Sequence, residues 1–163
     1  MSNPLRGASV DPEDRRGDPV SLRTKGALMS NVATVQDIYD AFGKGDAPRI
    51  LEHISEDVEW EYGAGVNDVP WLQPRNGRKG AADFLASLAD LRMDKFQPKT
   101  FLESGDLVVV VLDIEATVVP TGERISEEDQ IHLWHFNSDG QVTRFRHRTD
   151  TLQAQRACRP ESV

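Results

Sequence analysis

Three stretches in the second half of the chain constrain its fold more than any other feature. Residues 107–119, 124–136 and 141–149 are each strand-sized, apolar or alternating over most of their length. Pro120-Thr121-Gly122-Glu123 turns the first into the second, and Asn137-Ser138-Asp139-Gly140 is a strong hairpin signal between the second and third. Residues 96–103, closed by Ser104-Gly105-Asp106, supply a further strand just upstream. Consecutive strands linked this tightly pair antiparallel, because a parallel return needs a crossover of a dozen residues or more.

The half before them has a different period. Val35, Ile38, Tyr39 and Phe42 recur at spacings of three and four and predict a helix over 34–42, ended by Gly43 or Gly45. Asp46 is a suitable N-cap for a second helix over 47–54, with Ile50, Leu51 and Ile54 on one side. Asp57-Val58-Glu59-Trp60-Glu61-Tyr62 alternates strictly and predicts a strand in which Trp60 and Tyr62 share a face. The Gly-, Pro- and Asn-rich stretch 63–77 is a long loop, and Trp71 with Leu72 marks it as a cover rather than a free excursion. A third helix is predicted over 79–91, with a short polar helix or tail after Asp150. Helix, helix, strand, helix and then four strands make an α+β domain with helices on one face of an antiparallel sheet.

At 163 residues there is enough chain for one domain but hardly for two. The net charge of −8 argues against a nucleic-acid surface, which rests on clustered Lys and Arg. No apolar run reaches the length of a bilayer span. The single cysteine, Cys158, rules out an intrachain disulfide and points to a reducing cytoplasm. Residues 1–30 are rich in Pro, Gly, Asp and Arg and read as a disordered extension, or alternatively Met29 is the natural start. The domain is then expected over 31–155, with 156–163 as a flexible tail. Phosphate-binding Gly-rich loops and G-x-S-x-G nucleophile motifs are both lacking.

Several short motifs, in order, resemble one superfamily. Gly45-Asp46-Ala47 is similar to its break between the first two helices, and Ser55-Glu56-Asp57-Val58-Glu59-Trp60 to its passage from helix to strand. Arg75-Asn76-Gly77-Arg78-Lys79-Gly80 resembles its lead into the third helix. Ile131-His132-Leu133-Trp134-His135-Phe136 with Asp139-Gly140-Gln141-Val142 resembles its last hairpin, and Arg146-His147-Arg148-Thr149-Asp150-Thr151 its closing strand. The superfamily is the nuclear transport factor 2-like, SnoaL-like one, related in fold to the ketosteroid isomerases. The resemblance implies a curved antiparallel sheet wrapped by about three helices into a cone, a cystatin-like α+β barrel. It also implies a small-molecule pocket between the concave face and the first and third helices, no cofactor or metal, and a homodimer through the outer sheet face. Members include isomerases, polyketide cyclases, dehydratases and binding modules, so fold alone selects no activity.

Alternation then nominates residues, with the resemblance placing His132 and Trp134 on the pocket side. Ser126, Glu128, Gln130, His132 and Trp134 share one face of the third long strand, and Thr143, Phe145, His147 and Thr149 the matching face of the last. Val109, Val111, Asp113 and Glu115 are taken as the inward set of the second. The expected substrate wall is Trp60, Phe84, Leu88, Val111, Trp134 and Phe145, with Glu128 near the mouth. An imidazole beside a carboxylate exchanges protons near neutral pH. Hence the catalytic candidates: His132 as acid or base, Asp113 orienting it, Tyr62 donating to a substrate oxygen, and His147 nearby. Plainer readings stand beside these: His132 and His147 as structural hydrogen-bonders, Asp113 on a solvated face, Tyr62 as packing. Arg144, Arg146 and Arg148 are expected to pair with Glu127 and Asp129 across the hairpin. By the resemblance the steroid isomerases' base falls at Tyr62, their second acid at His132 and their helix-one tyrosine at Ile38, with Tyr39 facing elsewhere. All three positions are changed, so that isomerase route is not expected. The ligand expected instead is a small apolar carbonyl or polyketide-like compound, turned over by proton transfer or merely bound by a non-catalytic or dimerising module.

Overall fold

A computed structural model of the chain describes residues 29–160, so the expected disorder of the N-terminal extension lies almost wholly outside the described residues. Ser30 opens the first helix: its hydroxyl accepts the Ala33 N–H, and α1, Asn31–Gly43, buries Val35 and Ile38. Asp46 caps the short α2, Ala47–Glu52, by accepting the Arg49 N–H. After them come β1, Ile54–Trp60, β2, Arg75–Asn76, and α3, Gly77–Ser87. β3, Leu91–Ser104, β4, Leu107–Val118, β5, Arg124–Phe136, and β6, Val142–Arg148, complete the sheet, and α4, Thr151–Cys158, follows. Single 3-10 turns at Pro70–Leu72 and Leu88–Asp90 break the connections on either side of α3.

The strands form one curved sheet in the order β2-β1-β6-β5-β4-β3. Every pairing is antiparallel except that of β1 with β6, which brings the first strand beside the last. The fold is α+β, as expected, with four helices in place of about three. β3 begins at Leu91, earlier than the sequence pattern suggests, because β4 offers Val118 and Ala116 as partners to Leu91 and Met93. A ladder of that length outweighs the weak helical preference of the same residues. α4 continues past residue 155 to Cys158, since Ala154 and Ala157 are buried and the Thr121 hydroxyl donates to the Ala157 carbonyl at 2.6 Å.

Two strands present faces other than those expected. In β4 the buried set is Val108, Val110, Leu112, Ile114 and Ala116, so Val109, Val111, Asp113 and Glu115 lie on the outer, less buried side. Leu-Val-Val-Val-Val-Leu is apolar at both parities and carries no phase information. In β5 a bulge resets the alternation: Leu112 pairs with Gln130 but Ile114 with Glu127, leaving one extra residue around Asp129, whose φ is +60°. Gln130, His132 and Trp134 therefore point inward with Ile125, while Glu128 is exposed. The core fills the space between this concave face and the helices, centred on Val35, Ile54, Val58, Val110, Leu112 and Phe145. Among the described residues no helix is long and apolar enough to cross a membrane.

Candidate functional site

The cone encloses a cavity of about 90 Å³. Sheet and helices contribute its wall in turn: Tyr39 from α1, Trp60 from β1, Phe84 from α3, His132 and Trp134 from β5, and Phe145 and His147 from β6. The long loop closes one side with Trp71 and Leu72, held there because Gln73 donates to the carbonyls of Asn67 and Val69, each at 2.9 Å. Trp60, Phe84, Leu88, Trp134 and Phe145 thus all line the cavity. The four aromatic rings interlock, with the centroids of Trp60 and Trp134 each 4.3 Å from that of Phe145.

Within this apolar wall runs one chain of hydrogen bonds, its direction set by an indole at one end and by the Gln130 carbonyl oxygen, which only accepts, at the other. An indole only donates, so Trp134 Nε1–H gives to the Tyr39 oxygen at 3.1 Å. The Tyr39 hydroxyl then donates to His132 Nδ1 at 2.7 Å, and His132 Nε2–H donates to Gln130 Oε1 at 3.1 Å. Gln130 passes on to Thr149 at 3.2 Å and Glu127 at 3.3 Å. His132 is 5% exposed, and burial first, then the neighbouring His147, holds its pKa well below the usual histidine range. Burial pushes the Tyr39 hydroxyl above its ordinary value, with the Trp134 hydrogen bond opposing. His132 is accordingly a neutral ring with both nitrogens engaged. Tyr39, which the resemblance left facing elsewhere, faces the cavity beside Ile38.

His147 is arranged otherwise. Its Nδ1–H donates to the carboxylate of Glu61, and its backbone N–H donates to the same oxygen at 3.1 Å. Its other nitrogen, Nε2, has no hydrogen-bond partner among the described residues, and the ring lines the cavity. The two imidazoles meet edge to face at 4.8 Å. Glu61 is 2% exposed and adopts a φ of +53°, an uncommon backbone state for a residue with a side chain. That single left-handed residue ends β1's alternation, so Trp60 and Glu61 both turn inward.

Other expectations are corrected by the same geometry. Tyr62 is carried away from the cavity: its hydroxyl hydrogen-bonds His135 Nε2 at 2.9 Å, and Arg144 stacks over its ring at 3.8 Å. Asp113 does not reach His132; it sits on the outer side, 2.7 Å from Lys99 Nζ. There the Lys99 ammonium and then the Asp129 N–H hold its carboxyl below the usual range. Val111 and Glu128 are likewise absent from the cavity wall. Arg144 pairs with Glu59 at 2.7 Å and Arg146 donates to the Tyr62 carbonyl at 2.9 Å, neither of them meeting Glu127 or Asp129. Glu127 instead accepts from the Thr149 hydroxyl and the Asp150 N–H, and Asp129 pairs with Lys99. Among the described residues no group of three or more His, Cys, Asp and Glu is placed to hold a metal ion. The residues sequence reasoning missed are Tyr39, Glu61 and Gln130. Glu61 carried no signal, since in a regular strand its parity sends it outward.

The profile of the SnoaL-like domain matches residues 35–145. Among solved structures, an NTF2-like protein of unknown function from Burkholderia pseudomallei is 28% identical over 79% of this chain and 98% of its own, with a TM-score of 0.63. An NTF2-like protein from Burkholderia xenovorans is 26% identical over 79% and 95% of the two chains, with a TM-score of 0.67. TerC, co-crystallised with polyporic acid, is 29% identical over 78% and 96%, with a TM-score of 0.62. No curated protein matches the chain. The matched span reaches from the first helix to the strand bearing Phe145 and takes in every cavity-lining residue except His147 and Thr149, and the chain belongs to the SnoaL-like domain family.

Proposed function

We propose that the cone binds a small, flat, largely apolar molecule and exchanges a proton with it without a cofactor, His147 acting as the base and Glu61 orienting its ring. The observation that carries this reading is the Glu61–His147 pair at the wall of an otherwise apolar cavity. A carboxylate on Nδ1–H leaves Nε2 bare, with its lone pair open to a substrate proton. Transfer from a substrate C–H to Nε2 leaves an enolate and an imidazolium, whose charge the Glu61 carboxylate balances. His132 is unsuited to that role because its nitrogens already serve Tyr39 and Gln130.

The lining also suggests a substrate class. Among the described residues the lining contains no Lys or Arg, so negative charge developing on the substrate meets no cation other than the His147 imidazolium formed in the same step. A conjugated carbonyl or polyketide-like ring, which spreads that charge over its own atoms, suits such a site. TerC's co-crystallisation with polyporic acid supports small-ligand binding within a cone of this kind. The outer sheet face, with Val109, Val111, Ile131 and Leu133 half-buried side by side, supports pairing with a second copy. The lone Cys158 is in keeping with a reducing cytoplasm.

The test is deuterium incorporation followed by NMR, with polyporic acid and a panel of aromatic 1,3-diketones offered in D2O. Exchange at the carbon between the diketone carbonyls should be accelerated, and His147→Gln should reduce that acceleration by about 10²–10⁴-fold. Binding without any accelerated exchange would overturn the catalytic reading. It would favour a ligand-binding module instead, a reading that the modest free space of about 90 Å³ also supports.

A further inference from the structure

Glu61 holds a left-handed backbone conformation that is costly for a non-glycine residue, and the surroundings must over-determine it. On the inner side its carboxylate accepts from the ring and backbone of His147. Its own N–H donates to the Phe145 carbonyl at 2.8 Å, which prolongs the β1–β6 pairing by one residue. The Tyr62–Gly63 peptide is gripped from the opposite face of the sheet. Arg146 precedes His147 in β6 and so points outward, where its Nη1 donates to the Tyr62 carbonyl at 2.9 Å. Gly63 lies directly beneath it: at φ +67° a side chain there is strained by its backbone, and its Cβ would stand 2.8 Å from that Nη1 and push the guanidinium aside. Two consecutive residues of one strand thus hold the same turn from its two sides, His147 through the Glu61 side chain and Arg146 through the Tyr62 backbone.

We propose that Arg146 is a positioning residue for the site: by clamping the Tyr62 carbonyl it keeps Glu61 in the left-handed turn that brings its carboxylate onto His147. This rests on the reading of Glu61 and His147 as a working pair. Without the clamp, Glu61 relaxes toward extended backbone, which carries its side chain to the outer face, and His147 Nδ1 loses its acceptor. The guanidinium touches neither cavity nor ligand and acts only through Glu61. Tyr62 takes part by its carbonyl, so its phenol is dispensable to the clamp.

The experiment is the tautomeric state of His147, read from the ring nitrogen shifts of the 15N-labelled full-length protein. The wild type should show the proton on Nδ1. Arg146→Met and Gly63→Ala should each convert this to a mixture of tautomers while the signals of His132, on the neighbouring strand, stay in place. Arg146→Lys should restore the Nδ1 form in part, because an ammonium still reaches a carbonyl. Tyr62→Phe should leave it unchanged. An unaltered His147 tautomer in both Arg146→Met and Gly63→Ala overturns the clamp, and so does its loss in Tyr62→Phe. A wild-type His147 protonated on Nε2 would instead overturn the dyad reading itself. Normal tautomers throughout the series without accelerated deuterium exchange would defeat the catalytic role and the clamp together.

Discussion

Tyr39 shows how much one hydroxyl can hold. It accepts from the Trp134 indole, donates to His132 and leaves neither partner an alternative within reach of the apolar wall. Tyr39→Phe keeps the ring and its edge contact with Phe96 but strands a buried N–H and a buried ring nitrogen. Unfolding in urea should report a loss of about 1–3 kcal/mol with an unchanged m value, the usual cost of unsatisfied buried polar groups. Tyr39 was visible in the sequence only as one apolar position of a helix. Its hydrogen bonds come from one strand more than ninety residues away, and no local pattern records them.

At the scale of the element, the bulge in β5 decides which side chains meet. Without the extra residue at Asp129, Glu128 would face inward as strict alternation demands, and Ile125 and Glu127 would face out. With it, Glu127 can reach Thr149 and the start of α4 while His132 and Trp134 keep the cavity side. The conformation at Asp129 is one that Asn tolerates and a β-branched residue does not. Asp129→Asn and Asp129→Val both remove the charge that faces Lys99, so their difference isolates the backbone. Urea midpoints should place the Val variant about 1–2 kcal/mol below the Asn variant.

For the whole molecule, pH acts first through the histidines. His132 is held neutral by burial, with His147 adding to the effect, and its ordinary value is near 6.5. Below that pH the unfolded chain takes up a proton that the folded one refuses, so stability is full above about 6.5 and declines as pH falls. His135, lowered by burial and then by Arg144, adds a contribution of the same sign. Asp113, held low by Lys99, stabilises the fold above the ordinary carboxylate value and loses that contribution only in stronger acid. Unfolding free energies measured from pH 8 to pH 5 should therefore stay level and then drop, and His132→Gln should flatten the drop. The outer face predicts association: sedimentation should give a dimer, and Leu133→Glu should give a folded monomer. A wild type that sediments as a monomer would count against the pairing.

The sequence by itself determined the class of fold, because hydrophobic period, turn residues and caps are local properties. Helix-period segments, long strands and the Asn137–Gly140 hairpin leave few ways to bury one face of a sheet, and the motif order narrowed these to one superfamily. It also identified the aromatic wall, since large apolar residues beside helix and strand faces have nowhere else to go. The chemistry of the site was decided only in three dimensions. β4 is apolar at both parities, β5 changes phase at a bulge, and β1 ends in a left-handed residue. Each shift moves side chains by one position, and one position in a strand is the difference between cavity and solvent. Asp113, Glu128, Val111 and Tyr62 were lost from the site in this way, and Glu61 was brought onto His147.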